Sequence, residues 1–595
     1  MFKKTSKKII TVLLALSFAA VFLPACDTSP DGKSDGKFTI SFYSDDYADV
    51  VPPITELSGT PIEAPRAPER DGYRFGGWLL NGVLYDFTVM PAQNIRLYAQ
   101  WDEACTITFD SKGGSAVEPI LAVPGERIKP PDPPPRRPGY NFMGWLLDGA
   151  PFYFSVMPEY DLSLTADWTE APASILPVVN VMMYDAAGKI LPLPSSGRTA
   201  GDDQKRYVSS TVSVNAGDFG AGKGGVDAVP AGFRSRGYGS LFYGGAKKPY
   251  RIRFDDKQSV LGMPKSRHWV LISSHRNFMD NTMLIADTAL SLAREVFDGF
   301  EYIPQSKLVD LYINNEYRGV YVLTEKYRVE SGKVDIESEH GVLDTGYLMS
   351  VRWNWRGPGW AKFKPTDLDG RQIGRSPSGG DTYDLCVESP DYEDTTQSAF
   401  TPQMNFIKGE VSKLCDAMRK GDYNRFSELA DVKSFVDILI FWDLYRNGDV
   451  AGGGFYLYKK PGGKFYAGTP WDFDNTFAGN ANDLYNSTAT TGGSANPFIT
   501  YPWAMNEFKA EVRARWKVLS PLVKAKVPAL WDPYIDDTGV QDAMVKNFVY
   551  WRNAPNSGPE NYNGGPQNVS SWLNNARGKR DALVNRAGRL DTLFA

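Results

Sequence analysis

A gapless internal repeat constrains this chain more than any other feature. Gly72-Tyr73-Arg74-Phe75-Gly76-Gly77-Trp78 returns as Gly139-Tyr140-Asn141-Phe142-Met143-Gly144-Trp145, Met90-Pro91 as Met157-Pro158 and Trp101 as Trp168, each 67 residues later. The units run over 37–103 and 104–170. Alternating apolar runs open each one (Phe38-Thr39-Ile40-Ser41-Phe42; Thr106-Ile107-Thr108-Phe109) and a strand closes it (Leu97 to Trp101; Leu164 to Trp168), which predicts small, mostly antiparallel β modules. Modules this short need their large side chains inside, so Trp78, Trp101 and their partners are expected to form the cores rather than a sugar platform.

The repeat ceases near residue 174, and 174–592 is read as one large domain of mixed strands and helices. With 65 basic and 70 acidic side chains the net charge is -5, which excludes a broad basic surface, and so nucleic acid as a partner. Four Cys without a CxxC pair exclude a disulfide scaffold and a zinc cluster, and three His make a His-rich metal site a poor reading. At the N-terminus Lys3, Lys4, Lys7 and Lys8 precede an apolar stretch from Ile9 to Leu23, the pattern of an export signal. Leu23-Pro24-Ala25-Cys26 resembles a bacterial lipobox, in which Cys26 would be lipidated and anchor the protein to a membrane. Residues 1–26 would then be the lipoprotein signal peptide and 27–36 a tether; an ordinary cleaved secretory peptide is the alternative. Cys105, Cys386 and Cys415 remain, expected to be free thiols, since His268, His275 and His340 show no local pattern that pairs them with a Cys.

Chemistry is sought in the large domain. Ala231-Gly232-Phe233-Arg234-Ser235-Arg236-Gly237-Tyr238-Gly239-Ser240 precedes Lys247-Lys248-Pro249-Tyr250-Arg251-Ile252-Arg253-Phe254. A Gly-rich turn between strands lets backbone approach a phosphate, and a Lys on the next strand adds charge. The alternation of Tyr250, Ile252 and Phe254 with Arg251 and Arg253 also fits a plain hairpin with a solvated basic face. Asp280 to Phe297 predicts an amphipathic helix with Glu295 off its apolar face, and Leu308 to Leu323 a hairpin turning at Asn314-Asn315.

The strongest constellation lies between Phe435 and Asn482. An apolar helix through Val436, Leu439 and Trp442 should end near Asn447-Gly448, placing Asp449 on its exit loop. Two short strands around Pro461-Gly462-Gly463 then deliver Trp471-Asp472-Phe473-Asp474. This is the order in which a protein kinase presents its catalytic-loop Asp and, after a hairpin, its metal-binding Asp. Capping and turn formation are the alternative role for these acids. Their spacing is too sparse for a calcium loop.

The two units resemble the Listeria-Bacteroides repeat, the InlB B-repeat family of β-grasp-like surface modules. Residues 175–590 resemble the CotH kinase family through the Arg-x-Arg-Gly segment before Lys247, Gln258 to Pro264 with Trp269-Val270-Leu271, Tyr317 to Tyr321 through Glu325, Asn447-x-Asp449, and Trp471 to Asp474 with Gly479 to Asn482. The fold class implied is multidomain: two β-grasp-like modules followed by an α+β atypical protein-kinase-like domain that binds ATP with Mg2+ and phosphorylates Ser or Thr of partner proteins. By motif, Asp449 would be the catalytic acid, Lys248 the catalytic, phosphate-contacting Lys, with Lys247 its rival, and Arg234, Arg236, Gly237 and Glu325 nucleotide contacts. Asp472 and Asp474 would hold the metal. Three departures bear on activity: Ser235 and Tyr238 interrupt the Arg-Gly-Arg-Gly-Asn loop, Ser350 replaces a Glu after Gly346-Tyr347-Leu348-Met349, and Ala451 to Gly454 replaces a polar stretch. The rival expectation is a catalytically weak or dead kinase-like surface protein that acts through protein or glycan contacts.

Overall fold

The computed structural model describes residues 36–45, 50–132, 134–137, 139–170, 174–191, 207–217, 224–236, 247–273, 280–353, 361–373, 383–390, 401–447, 454–473, 476–477, 496–553 and 565–595. Two compact units emerge, 1–105 with 121–124 and 106–120 with 125–595. The lipidation candidate Cys26 lies outside the described residues. Among those described, no helix is long and apolar enough to cross a membrane.

The first repeat is a sheet ordered β2-β1-β5-β3-β4, of Lys37–Tyr43 (β1), Ile54–Leu57 (β2), Tyr73–Leu80 (β3), Val83–Leu84 (β4) and Ile95–Glu103 (β5). Its pairs are antiparallel except β1 with β5, which run parallel at the centre. The second repeat uses Cys105–Asp110 (β6), Ile120–Ala122 (β7), Tyr140–Leu147 (β8), Ala150–Phe152 (β9) and Leu162–Glu170 (β10), with β6 parallel to β10. Side-chain packing repeats as closely as the sequence. Phe42 meets Trp78 with ring centroids 4.7 Å apart and Phe109 meets Trp145 at 4.6 Å, while Phe75 stands edge-on to Trp101 at 5.6 Å and Phe142 to Trp168 at 5.4 Å. Trp78 and Trp145 are buried as expected; Trp101 and Trp168 are half-buried at the edge of each core.

Seven strands then close into a barrel: Val178–Met183 (β11), Val208–Asn215 (β12), Val226–Ser235 (β13), Tyr250–Gln258 (β14), Ser266–Ile272 (β15), Ser306–Ile313 (β16) and Glu316–Glu325 (β17). Consecutive strands pair antiparallel except that β15 pairs β17, and β16 closes the barrel by running parallel to β11. The two-residue alternation expected for β14 is observed: Tyr250, Ile252 and Phe254 point into a core shared with Phe233, Trp269, Leu271 and Leu323. The hairpin of β16 and β17 turns on Asn314 and Asn315, both at positive φ (51° and 63°), a twist that suits tight hairpins and that Asn tolerates. Asn315 also anchors the second repeat, because its Oδ1 accepts from the amides of Asn141 and Asn180, each at 2.8 Å.

The remainder is a five-stranded sheet ordered β19-β20-β18-β21-β22 with helices against one face. Its strands are Tyr347–Trp353 (β18), Lys362–Phe363 (β19), Tyr383–Ser389 (β20), Tyr456–Lys459 (β21) and Phe465–Ala467 (β22). The helices are Ile285–Val296 (α1), Thr401–Lys420 (α2), Tyr423–Leu429 (α3), Val432–Tyr445 (α4), Pro497–Ala504 (α5), Asn506–Asp536 (α6), Thr538–Asn553 (α7) and Val569–Leu593 (α8). Tyr347, Met349, Val351, Leu385, Val387 and Leu457 bury one face of the sheet in the helical core. On the opposite face Leu348, Tyr456 and Tyr458 gather with Tyr327, Val334, Ile336 and Trp471, and Ile272 of β15 packs against them. Barrel and sheet therefore pack on each other through that second cluster.

Two helix boundaries differ from expectation. The helix expected from Asp280 begins at Ile285, because the Asp280 carboxylate is occupied by the backbone N–H groups of Thr282, Met283 and Ile285. α4 ends at Tyr445 rather than near Gly448, and Arg446, not a glycine, takes the left-handed conformation at φ 46°.

Candidate active site between barrel and sheet

Asp472 owes its position to its two neighbours. Trp471 is buried in the tyrosine-rich cluster on the open face of the sheet, and Phe473 in the helical core, 5.6 Å from Trp442 and 6.2 Å from Tyr445 between ring centroids. Anchored on both sides, Asp472 remains half-buried at a φ of 70°, a conformation non-glycine residues hold only where their surroundings impose it. The Asn447 side-chain amide donates to the Asp472 carbonyl at 2.7 Å. Phe477 N–H returns to Tyr445 carbonyl at 3.2 Å, closing the turn onto the end of α4. At Gly454, entering β21, a Cβ would lie 2.3 Å from the Trp471 carbonyl oxygen, so only glycine fits. Helix exit, hairpin entry and Asp472 turn are thus one interlocked unit. Asp449 follows Asn447 by two residues; Asp449, Asp474 and Gly237 lie outside the described residues.

The other expected residues fall in three settings. Arg234, on β13, stands opposite Arg251 of β14, and Arg236 follows with its N–H on the Pro249 carbonyl at 2.9 Å. Lys248 is half-buried just before β14, its carbonyl accepting from the Tyr321 hydroxyl at 3.0 Å. Lys247, its rival, is enclosed: its Nζ donates to the Val320 carbonyl at 2.6 Å and Asn547 Oδ1 at 3.0 Å, and burial holds its ammonium far below the usual lysine range. Glu325 is fully buried, 3.1 Å from Lys333 Nζ, which also donates to Ser266 at 2.8 Å. Glu295, off the apolar face of α1, pairs with Lys526.

Ser350, which replaces an acid of the resembled motif, donates to Glu388 on the neighbouring strand at 2.6 Å. A carboxylate is therefore present beside that position, supplied from β20. Sequence reading missed it because Glu388 is 38 residues away along the chain. Among the described residues no three acidic, His or Cys side chains converge to hold a metal ion. Asp472 is the described member of the expected metal-binding set. The thiols carry no sign of catalysis: Cys386 and Cys415 are buried, and burial pushes the Cys415 pKa well up.

Comparison with known proteins agrees with this architecture. The family model for CotH kinase protein matches residues 233–578, and the Listeria-Bacteroides repeat domain matches 38–100 and 106–167. The chain belongs to the CotH kinase family and carries two Listeria-Bacteroides repeats. It is 35% identical over 141 residues to a "Putative membrane protein" of Evansella cellulosilytica, covering 22% of this chain and 21% of that one. It is 32% identical over 120 residues to Internalin H of Listeria monocytogenes, covering 18% and 21%. The chain thus spans about a fifth of the length of these curated relatives.

Proposed function

We propose that this protein is an exported, lipid-anchored atypical protein kinase that transfers the γ-phosphoryl group of ATP to Ser or Thr of a surface or envelope protein. The observation that carries the reading is the clamp between Asn447 and the Asp472 carbonyl, which ties the chain two residues before Asp449 to the turn bearing Asp472. Phosphoryl transfer calls for one carboxylate at the attacking hydroxyl and another at the metal, held in fixed relation. Asp449 would accept the acceptor hydroxyl's proton; Asp472 and Asp474 would hold Mg2+, which would supply charge neutralisation on the phosphate oxygens. Arg234, Arg236, Lys248 and the backbone at Gly237 meet the phosphates from the barrel side. Glu325 supports that side through Lys333. The β-grasp-like repeats and a lipid on Cys26 would hold the domain at the envelope, a reading supported by relatives named as a membrane protein and an internalin.

One observation favours the rival role of a surface-binding protein. Tyr43 and Tyr98, paired across β1 and β5, stack at 5.2 Å and are 44% and 52% exposed, a flat aromatic face of the kind glycans and peptides use. Thermal unfolding of the full chain with and without ATP and Mg2+, beside Asp472→Ala, decides between the roles. A Mg2+-dependent stabilisation lost in the variant supports the kinase, with radiolabelled phosphate transfer as the follow-up. No shift at millimolar ATP leaves the surface-binding role.

A further inference from the structure

The two repeats share a core and differ on the outer face of the sheet. Along β5 and β10 the inward residues match: Ile95 with Leu162, Leu97 with Leu164, Ala99 with Ala166 and Trp101 with Trp168. The outward residues do not. Arg96, Tyr98 and Gln100 of the first repeat are Ser163, Thr165 and Asp167 in the second, and Tyr43 on β1 is Asp110 on β6. Register is the same in both: Tyr43 stands beside Tyr98 as Asp110 stands beside Thr165, and Tyr98 faces Leu79 as Thr165 faces Leu146. One sheet folds with either set, so the stability of the module does not call for the tyrosines.

In the first repeat these positions form a continuous row, with Tyr43, Tyr98, Leu79 and Leu84 side by side across β1, β5, β3 and β4. The two tyrosine rings stack with their planes 24° apart, and Leu84 is exposed like them. Arg96 and Gln100 flank Tyr98 two residues to either side on the same face, and Ser41 lies beside Arg96. Gln100 reaches Asp102 at 3.4 Å, and Asp102 lies 3.9 Å from Arg74. Arg96 has no carboxylate at ion-pair distance among the described residues. The same face makes contacts in the second repeat: Asn141, outward on β8, is buried against the barrel hairpin and donates to Asn315 at 2.8 Å.

The chemistry of the row selects its ligand. A protein partner needs about 800 Å² of surface on each side, and four apolar side chains ringed by Ser, Thr, Gln and Arg supply a small part of it. β5 is paired on both sides, so the row offers no strand edge to a peptide. A pyranose ring fits. Its C–H groups pack on the faces of aromatic rings, and its hydroxyls meet planar donors and acceptors such as the Gln100 amide. Arg96, a fork without an acid partner, adds a place for a carboxylate.

We propose that Tyr43, Tyr98, Gln100 and Arg96 form a binding track for an acidic glycan, a chain of sugars bearing carboxylates. The inference rests on the surface-binding role, to which it gives a ligand class, and holds whether or not the large domain transfers phosphate.

The test is calorimetric titration of the full chain in detergent with hexagalacturonate, maltohexaose and poly-L-glutamate at matched ionic strength. Hexagalacturonate should bind at least tenfold more tightly than the other two. Tyr98→Thr, which installs the residue of the second repeat, and Tyr43→Ser should each weaken it by tenfold or more with the unfolding temperature unchanged. Arg96→Ser, again the second repeat's residue, should weaken it several-fold and reduce its salt dependence. Wild-type affinity in both tyrosine variants, or no binding of hexagalacturonate at all, overturns the inference. Maltohexaose binding as tight as that of hexagalacturonate, and indifferent to Arg96→Ser, overturns the acidic class. Equal or tighter binding of poly-L-glutamate overturns the sugar and assigns the face to an acidic peptide. Tyr98→Thr should leave any Mg2+-ATP stabilisation as in wild type, so the glycan and kinase readings fail separately.

Discussion

The Asn447 side-chain amide and the Asp472 backbone carbonyl meet at 2.7 Å across 25 residues of chain, and the partners sit at opposite ends of the segment that contains Asp449 and the β21–β22 hairpin. Asn447 is fully buried, so its amide serves this contact and not solvent. The bond holds a positive-φ aspartate in place through its backbone, without using its carboxylate.

Asn447→Ala is therefore expected to act in two measurable ways. Loss of the donor leaves a buried acceptor unsatisfied, costing about 1–3 kcal/mol in urea unfolding. Freed from its clamp, the Asp472 turn should relax, and the Mg2+-dependent ATP stabilisation should fall further than the loss of stability accounts for. Unchanged nucleotide response in a destabilised variant would assign Asn447 to folding alone.

The two adjacent lysines should separate cleanly. Lys247→Met removes a donor from the Val320 carbonyl and Asn547, a contact that joins α7 to the barrel, and should destabilise by about 1–3 kcal/mol. Lys248→Met, at a half-buried site where the backbone carbonyl and not the side chain accepts from Tyr321, should melt close to wild type and lose nucleotide affinity. Reversed results from thermal unfolding and ATP titration would return the phosphate role to Lys247.

His268 supplies a pH signature. Its folded pKa of about 2 lies below the ordinary 6.5, so between these values the unfolded chain binds a proton that the folded chain refuses. Stability from this group is complete above about pH 6.5 and is lost progressively as pH falls toward 2. Groups facing the ring are Arg251, Arg253, Lys326 and Arg328, all cations, so none reverses the sign. In NMR the His268 ring should show no titration between pH 8 and pH 4, and a midpoint near 6 would refute the burial of this ring among cations.

Much of this was legible where the signal is local. The repeat offset reappears in the strands, since β3 and β8 begin at Tyr73 and Tyr140, and the hairpin at Asn314-Asn315 and the alternation of β14 follow from turn chemistry and two-residue periodicity. What stayed hidden depends on distant chain. No local pattern announces that β1 runs parallel to β5, or that β16 closes a barrel on β11. Arg251 was readable as part of a solvated face; only strand register shows it half-buried between Arg234 and His268. The early end of α4 is likewise tertiary: Arg446 turns left-handed, and the freed Tyr445 carbonyl accepts from Phe477 N–H of the distant Asp472 turn.

The C-terminal helix is the remaining element whose removal should be felt at the site. Arg586 of α8 is buried against the end of α4, where it ion-pairs with the Asp443 carboxylate and donates from Nε to the Asp443 carbonyl at 3.1 Å. That carbonyl belongs to the last turn of α4, three residues before the left-handed Arg446 and four before Asn447. Trp572, earlier on α8, donates to the Thr282 carbonyl at 3.1 Å, so the helix also braces the start of α1. Removing the guanidinium strips a buried carboxylate of its cationic partner, and Arg586→Met should cost about 3–5 kcal/mol. Replacing both partners, in Asp443→Leu with Arg586→Met, should recover most of that loss, because desolvation of the pair offsets much of its attraction. If the Arg586 contact sets the exit path of α4, the double variant regains stability in urea unfolding without regaining the Mg2+-ATP response, since the carbonyl contact is still missing. Recovery of both together would make α8 a packing element with no hold on the site.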